Sequence, residues 1–327
     1  MTESRFGYLL VHFVEDRHGH AEKIYLSLSQ GDDPTRWDRL NGGRPILEST
    51  KGSTGVRDPH LIRRHDGTGY HIIATDLRVW DGQVPINWDQ HSRHGSRDLV
   101  IWDSPDLVRW SDPRYVTVAP PTAGMAWAPE AHFDAESGQY LVYWSSRLYA
   151  TDDHSDPAET TYSRILVSRT LDFVEFSAPE VFLDHGAEVI DMTVYVEDAQ
   201  DPHPGRVHRL AKDNSPDGRR IFHETAPSFF GEYQPAAQRI GDEIAHGVEA
   251  PLVFRDNHSR RYYLWIDSYE LDPQGYRALV TEDLSSGSWR LLPDLELPPA
   301  TKHGTVLPLF REEYERLVGA TFCPAIE

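Results

Sequence analysis

The segment that decides the fold reads Val56-Arg57-Asp58-Pro59-His60-Leu61-Ile62, a charged opener that runs directly into an apolar strand. Four related segments follow: Ala128-Pro129-Glu130-Ala131-His132-Phe133, Val189-Ile190-Asp191-Met192-Thr193-Val194, Val248-Glu249-Ala250-Pro251-Leu252-Val253 and His303-Gly304-Thr305-Val306-Leu307. Successive openers, counted from Asp58 to His303, are 72, 61, 58 and 54 residues apart. Repetition at such a period is typical of a radial β array, in which each unit buries its faces against its neighbours. The sequence therefore predicts an all-β fold, a five-bladed β-propeller.

The two ends of the chain together predict how the ring closes. Residues 8–13, residues 24–29 and an edge around Trp37 supply the outer strands of a blade that lacks an inner strand. Residues 305–309 form a strand with no blade of their own. Pairing the C-terminal strand with the N-terminal blade closes the ring and removes two exposed sheet edges. We therefore expect residues 1–327 to form a single propeller domain, with a short helical stretch over 312–318.

Within the other blades, runs rich in Val, Ile, Tyr, Trp and Phe alternate with turns that contain Gly, Asp and Asn. We predict closing strands near Trp110 and Phe176 in blades 2 and 3, whereas the fourth blade shows only three strand-like runs. The loops 65–69, 134–139 and 256–261 are short, and the loops 76–97 and 147–163 are long. If each opener begins the inner strand, the long loops lie on the same face as the openers. Loops of this kind commonly carry binding residues.

Composition narrows the class of partner and the compartment. The chain has 32 Lys and Arg against 52 Asp and Glu, a formal charge of −20, which argues against nucleic acid or an anionic membrane as partner. A single cysteine excludes an internal disulfide. The polar N-terminus shows no secretory signal pattern, and we therefore expect a cytoplasmic protein without a membrane-spanning segment.

Three acids on three different blades, Asp58, Asp191 and Glu249, form the candidate catalytic set. Hydrolysis of a glycosidic bond needs one protonated carboxyl for the leaving oxygen and one ionised carboxylate to activate water or attack carbon. A third carboxylate nearby raises the pKa of the acid by like-charge repulsion. A single aspartate before a strand is usually a solvated turn residue. Acids at one register of successive repeats converge, however, and burying several like charges together is unfavourable unless they have a function.

The openers also resemble those of a known enzyme family. Val56-Arg57-Asp58-Pro59, Trp127-Ala128-Pro129-Glu130, Ile190-Asp191, Gly247-Val248-Glu249-Ala250-Pro251 and Lys302-His303-Gly304-Thr305-Val306 resemble the blade-opening motifs of glycoside hydrolase family 43. The resemblance covers the whole chain in order. It implies a five-bladed propeller that hydrolyses arabinofuranosides or xylosides with inversion of configuration, and therefore an oligosaccharide as the partner.

The resemblance also implies residue roles. Asp58 would be the general base, Asp191 would modulate the pKa of the acid and orient it, and Glu249 would be the general acid with a raised pKa. Glu130 would line the sugar subsite, and His303 would lie on the axis near a water or a bound metal ion. No cofactor is required, although a structural Ca²⁺ or Na⁺ could occupy the axis. Further substrate-binding candidates are Arg57, Trp80, Trp88 and Trp127, and Lys212 is a candidate partner of Asp191.

Two departures keep other readings open. A full set of outer strands precedes Asp58, unlike many family members, and Arg57-Asp58-Pro59 also resembles a motif of the retaining fructosidases. Those enzymes need an earlier aspartate nucleophile, which residues 8–13 lack. The leading hypothesis is an inverting exo-glycosidase, an α-L-arabinofuranosidase first and a β-xylosidase second.

A β-D-galactofuranosidase and a non-catalytic sugar-binding propeller are the alternatives. A phosphorylase would need a basic phosphate site, and Arg and Lys are sparse around the openers. For inversion, the carboxyl groups of Asp58 and Glu249 should lie roughly 6.5–9.5 Å apart.

Overall fold

The computed structural model describes residues 5–15, 22–80 and 85–322, whose strands form five antiparallel sheets of four strands each. The first half of the chain contains β1 (Arg5–Val14), β2 (Tyr25–Gln30), β3 (Asp33–Arg39), β4 (Val56–Arg63), β5 (Tyr70–Asp76), α1 (Trp88–Arg93), β6 (Asp98–Ser104), β7 (Arg114–Thr117), β8 (Trp127–Asp134), β9 (Gln139–Arg147), β10 (Ser163–Thr170) and β11 (Glu180–Leu183). The second half contains β12 (Val189–Val196), β13 (Val207–Asp213), β14 (Arg220–Ala226), β15 (Gln234–Ile240), β16 (Val248–Arg255), β17 (Tyr262–Ser268), β18 (Gly275–Thr281), β19 (Arg290–Leu292), β20 (Thr301–Phe310) and α2 (Arg311–Val318).

The sheets follow one another around a ring, and the chain ends share one of them. Blade 1 has the strand order β20-β1-β2-β3, whereas blades 2 to 5 are the consecutive groups that begin with β4, β8, β12 and β16. In blade 1, Leu9 pairs with Leu307 and Val11 with Thr305. Both the five-bladed β-propeller and its closure by the C-terminal strand are confirmed.

The apolar core lies between blades. Five clusters of buried apolar side chains each draw on two neighbouring blades, including the pair formed by blades 5 and 1. Strand β1 shows the reason, because successive side chains of a strand point to opposite faces. Leu9 and Val11 join the cluster shared with blade 2, while Tyr8 and Leu10 join the cluster shared with blade 5, where Trp265 is fully buried. Each blade is therefore stabilised from both sides.

Some element predictions need correction. Trp110 and Phe176 do not lie in closing strands, which are β7 and β11; they lie in the preceding turns, where the Trp110 indole donates to the carbonyl of Leu107. The closing strand of blade 4, β15, was missed because most of its side chains are exposed, so that no apolar run marks it. Helix α1 in the long loop of blade 2 was not expected, whereas α2 confirms the predicted C-terminal helix.

The loops divide between two faces of the ring as predicted. Short turns such as those at Gly67 and Gly138 follow the inner strands, and both glycines have the positive φ that tight turns of this kind require. Helix α1 and the loop that follows β9 lie on the opposite face, together with the openers. Neither helix in the described ranges is long and apolar enough to cross a membrane.

Candidate active site

A β-bulge interrupts the inner strand of blades 2 to 5 at the same place. The ladder shifts between Arg57 and His60, Trp127 and Glu130, Ile190 and Thr193, and Glu249 and Leu252. One residue in each bulge has a left-handed backbone, with φ of 52° at Asp58, 49° at Ala128, 53° at Asp191 and 52° at Ala250. Left-handed φ is uncommon outside glycine, and bulges near active sites redirect side chains. In blade 1 the corresponding shift leaves His303 between Lys302 and Gly304.

The bulges correct the register that the sequence suggested. Asp58 and Asp191 occupy the left-handed position, but Glu249 lies one residue before it and Glu130 two residues after it. The acids therefore do not lie at one register. They lie in three layers along the axis. The cavity layer contains Arg57, Trp127, Ile190, Glu249 and Lys302. The middle layer contains Asp58, Asp191 and His303, and the lower layer contains His60, Glu130, Thr193 and Thr305.

The cavity layer lines an open cavity of about 580 Å³ on the face that carries the long loops. This volume lies within the range of roughly 300–1,000 Å³ that is usual for small-molecule sites. Four predicted binding residues line it, together with Glu249: Arg57, Trp80, Trp88 and Trp127. The rings of Trp88 and Trp127 meet edge to face with centroids 6.3 Å apart, and Trp88 is 49% exposed at the start of α1. An apolar wall of this kind suits the faces of a sugar ring.

In the middle layer, Asp58 is held as a carboxylate. Its Oδ1 lies 3.1 Å from Nδ1 of His303, and its Oδ2 accepts a hydrogen bond of 2.9 Å from the Thr75 hydroxyl. Burial alone would raise the pKa of Asp58, but His303, Arg57 and Thr75 outweigh burial and hold that pKa below the usual value. For His303, burial disfavours the charged form, yet Asp58, Asp191 and Glu249 raise its pKa to about 9. Asp58 and His303 therefore form an ion pair at neutral pH.

Asp191 has the opposite environment. Its backbone N–H donates to the Ser145 hydroxyl at 3.0 Å, and its Oδ2 accepts from the N–H of Ala250 at 3.3 Å. Burial raises the pKa of Asp191, and the charges of Glu249 and Asp58 raise it further, although His303 and Lys212 oppose them. Asp191 is thus the carboxyl of the middle layer that tends to hold a proton.

Glu249 differs from the prediction. Lys212 Nζ lies 2.9 Å from its Oε2. Burial favours the neutral acid, but Lys212, Lys302 and Arg57 together lower the pKa of Glu249. The expected raised pKa of Glu249 is therefore wrong for the ligand-free protein. Lys212 and Glu249 lie on different blades, so that no sequence pattern indicates their contact. Lys212 was expected to hold Asp191, whereas its hydrogen bond is with Glu249.

The lower layer is buried beneath the two others. Glu130 is 6% exposed and accepts a 3.0 Å hydrogen bond from the Tyr143 hydroxyl, and burial raises its pKa to about 7 although Tyr143 and Thr193 oppose this. The Thr305 hydroxyl lies 3.2 Å from Nδ1 of His60. Glu130 was predicted to line the sugar subsite, but it lies below the surface of the cavity. Its displacement by two residues from the left-handed position is the cause.

The cavity contains more basic residues than the sequence around the openers indicates. Five of them line the cavity, Arg57, Arg147, Lys212, Arg219 and Lys302, against the two acids Glu15 and Glu249. Most reach it from elements remote from the openers in sequence, so that spacing could not reveal them. Lys302 Nζ lies 3.0 Å from Asp267, which is fully buried, and 3.4 Å from Glu15.

A direct bond from His303 to a metal ion does not fit the environment of this side chain, whereas the expected contact through a water molecule does not need a lone pair of the imidazole. A protonated imidazole paired with Asp58 has no lone pair for a cation. Within the described ranges, no group of three or more His, Cys, Asp or Glu side chains is placed to hold a metal ion. The Ca²⁺ or Na⁺ expected from the resemblance stays a prediction, and no chemical step below depends on it.

Comparison with known proteins adds three findings. Residues 3–315 match the protein family described as "probable glycosyl hydrolase domain", a group related to glycoside hydrolase family 43. A protein of Bifidobacterium longum subsp. longum named alpha-L-arabinofuranosidase is 32% identical over 199 residues, which are 58% of this chain and 18% of that protein. The chain thus corresponds to less than a fifth of its relative.

Solved structures share the fold at low identity. A thermostable family-43 glycoside hydrolase has a TM-score of 0.53 at 17% identity, covering 79% of this chain and 81% of the other. The catalytic domain of the Coprinopsis cinerea GH62 alpha-L-arabinofuranosidase has a TM-score of 0.51 at 18% identity, covering 79% and 75%. These likenesses support the propeller architecture and carry no information about the sugar.

Proposed function

This chain belongs to the family described as probable glycosyl hydrolase domain, and on that premise we propose that it is an inverting exo-glycosidase that releases a terminal α-L-arabinofuranoside. The observation that carries the mechanism is the contrast between Asp58, whose pKa is lowered, and the neighbouring pair of Asp191 and Glu249, in which the pKa of Asp191 is raised. Acid and base roles usually fall to carboxyl groups whose environments push their pKa values apart.

Asp58 is the proposed general base. It remains ionised at neutral pH because His303 and Thr75 stabilise the carboxylate. In an inverting reaction the base takes a proton from a water molecule that attacks the anomeric carbon. His303, which touches Asp58 directly, acts as a positioning residue that keeps the base charged.

Glu249 is the proposed general acid, since it lines the cavity and its side chain is 29% exposed, whereas Asp191 is 8% exposed. The two carboxyls interact, so that their protonation belongs to the pair. In the ligand-free protein burial raises the pKa of Asp191 to about 6, so that the proton which the pair holds below that pH is on Asp191, while Lys212 holds Glu249 as a carboxylate. We propose that substrate binding moves one proton from Asp191 to Glu249, which then protonates the leaving oxygen.

The sugar is proposed from the named relative, an alpha-L-arabinofuranosidase of Bifidobacterium longum subsp. longum. A β-xyloside is the second choice and a β-D-galactofuranoside the third. The wall formed by Trp80, Trp88 and Trp127 beside the acids supports recognition of one terminal sugar, because aromatic faces stack on sugar rings.

Activity and stereochemistry test the proposal together. Aryl arabinofuranoside, xyloside, galactofuranoside and fructoside should be assayed with wild type, Glu249→Gln and the exposed control Glu282→Gln. We expect hydrolysis of the arabinofuranoside, with Glu249→Gln losing about 10²–10⁴-fold on poor leaving groups and much less on activated ones. Proton NMR should show the inverted anomer first. A retained product, or unchanged activity of Glu249→Gln on a poor leaving group, would overturn the mechanism, and hydrolysis of none of them would favour a sugar-binding protein.

A further inference from the structure

One wall of the cavity differs chemically from the other. The tryptophan wall lies on the side of blades 2 and 3 together with Arg57 and Arg147, whereas Lys212, Asn214, Arg219, Tyr269 and Gln274 line the side of blades 4 and 5, which has no tryptophan among its lining residues. A chain with a formal charge of −20 has placed two cations on this wall. Charge of the rarer sign concentrated in a cavity usually serves a ligand of opposite charge.

Tyr269 connects the two cations. Lys212 Nζ lies 4.7 Å from the centroid of the Tyr269 ring, and burial raises the pKa of Tyr269 while the charges of Lys212 and Arg219 oppose it. The packing is tight, because a Cβ at Gly247 would lie 2.6 Å from the Tyr269 ring and 2.7 Å from Glu270 Cδ. The Tyr269 ring therefore packs closely against the backbone at Gly247.

Arg219 is the accessible member of this wall. Its side chain is 41% exposed, and Nη1 forms an ion pair of 3.2 Å with Oε1 of Glu270. A guanidinium presents five donors in a planar fork that matches a carboxylate, so that one ion pair leaves donors directed elsewhere. Lys212 is 3% exposed and faces Glu249.

We propose that the wall formed by Lys212, Arg219, Tyr269 and Gln274 is a subsite for a carboxylate-bearing sugar, a uronic acid, that adjoins the sugar released at Glu249. This inference rests on the proposed function and names the class of its leaving group. The carboxylate pairs with Arg219, and the Tyr269 hydroxyl and the Gln274 amide supply neutral hydrogen bonds.

The subsite has a consequence for the acid. Lys212 holds Glu249 as a carboxylate at 2.9 Å, and a second carboxylate beside Lys212 competes for that cation. The negative charge of the substrate therefore raises the pKa of Glu249 and favours transfer of the proton from Asp191 to Glu249. One proton moves between two carboxyls, and no other reactant is needed. Binding of an acidic substrate thus favours the protonated form of Glu249, which is the form that acts as the general acid.

Inorganic phosphate could bind the same cations, as a nucleophile for phosphorolysis. The position of the cations favours the substrate carboxylate, because Lys212 and Arg219 lie on blade 4, next to the proposed acid. The attacking group must approach Asp58 on blade 2, which is not a neighbour of blade 4 in the ring.

The test compares two disaccharides that share an arabinofuranosyl residue and differ only in the leaving sugar, glucuronic acid or glucose. We expect kcat/KM to be about tenfold higher for the glucuronic acid compound, a preference equivalent to about 1.4 kcal/mol. Arg219→Gln should abolish most of this preference, whereas the exposed control Arg290→Gln should keep it. The alkaline limb of the kcat profile should also lie at higher pH with the acidic substrate.

Each outcome decides between the two proposals. Equal kcat/KM for the two disaccharides would overturn the subsite and leave the glycosidase intact. Hydrolysis of neither, with calorimetric binding of glucuronic acid that Arg219→Gln weakens, would keep the subsite and reject the glycosidase. Formation of an arabinose phosphate when inorganic phosphate is added would assign the cations to phosphorolysis instead.

Discussion

At the scale of single residues, the site depends on which cation each carboxylate contacts. Asp58 contacts the His303 imidazolium, and Glu249 contacts Lys212. Asp191 has no contact of comparable strength among the described residues, and its pKa is raised mainly by burial. Three acids within one narrow space therefore have pKa values shifted in different directions, which a count of acidic motifs in the sequence cannot reveal.

Replacement of Asp58 by asparagine should change both catalysis and the titration of His303. We expect kcat to fall by about 10²–10⁴-fold, the usual worth of a general base. The pKa of His303, about 9 in the wild type, should fall to or below the ordinary histidine value of 6.5, because burial then dominates. NMR titration of the imidazole measures this directly. An unchanged titration would show that Asp58 does not hold the charge, and exposed Asp152→Asn serves as control.

The same ion pair sets a direction for stability. Because the folded-state pKa of His303 is raised, its contribution is full below the ordinary pKa of 6.5 and is lost as pH rises through about 9. The free energy of unfolding, measured by urea titration, should decrease over this window in the wild type more steeply than in Asp58→Asn. Parallel curves would contradict the assignment.

Replacement of Lys212 by methionine should move the alkaline limb of the pH–rate profile upward. Removal of this cation raises the pKa of the Asp191 and Glu249 pair, so that the proton needed for acid catalysis persists to higher pH. The pH profile of kcat/KM provides the measurement, and exposed Lys51→Met is the matched control. A limb that stays in place would mean that Lys212 does not control the acid.

At the scale of elements, the repeated bulge is the feature that organises the site. The left-handed residue is alanine in blades 3 and 5, at Ala128 and Ala250, where no side-chain hydrogen bond offsets the strain. A left-handed backbone costs an L-residue roughly 1–2 kcal/mol, which glycine does not incur.

Ala250→Gly should therefore be less destabilising than Ala278→Gly by about 1 kcal/mol. Both alanines are buried, at 0% and 1% exposure, but only Ala250 has a positive φ. Chemical denaturation of the two variants gives the comparison. Equal losses would show that the bulge carries no backbone strain.

The sequence predicts the five blades and the closure of the ring, but it does not predict the register of the acids within the inner strands. Blade number and ring closure followed from opener spacing and from the unpaired strand at residues 305–309, since both reflect burial between blades. The positions of Glu249 and Glu130 did not follow, because a bulge adds a residue without leaving a sign in the hydrophobic pattern. The Lys212 contact joins residues on different blades and needs three-dimensional information. The turns that precede the closing strands of blades 2 and 3 do have a local sequence signal. They read Ser104-Pro105-Asp106-Leu107 and Thr170-Leu171-Asp172-Phe173, and their aspartates accept hydrogen bonds from backbone N–H groups.

At the scale of the whole molecule, closure through β20 makes the chain ends part of the core. Leu309 near the C-terminus is fully buried in the cluster between blades 1 and 2, which also contains Leu61. In an open repeat array the terminal unit has one neighbour and frays first, whereas here it has two.

Leu309→Ala should destabilise the protein as much as Leu61→Ala, by about 2–5 kcal/mol. Thermal unfolding followed by fluorescence and by circular dichroism should give one coincident transition in both variants. A separate early transition in Leu309→Ala alone would indicate that blade 1 opens independently of the ring.

The bulge also separates sugar binding from catalysis along one strand, so that the binding surface can change independently of the catalytic groups. Neighbouring residues face different depths, so that the cavity layer can change while the charged middle layer stays intact. Ile190 is the aliphatic member of the cavity layer and directly precedes Asp191. A library at position 190 would therefore alter the shape offered to the sugar next to unaltered chemistry. New specificities should arise there in single substitutions, without the loss of turnover that usually accompanies changes beside a catalytic residue.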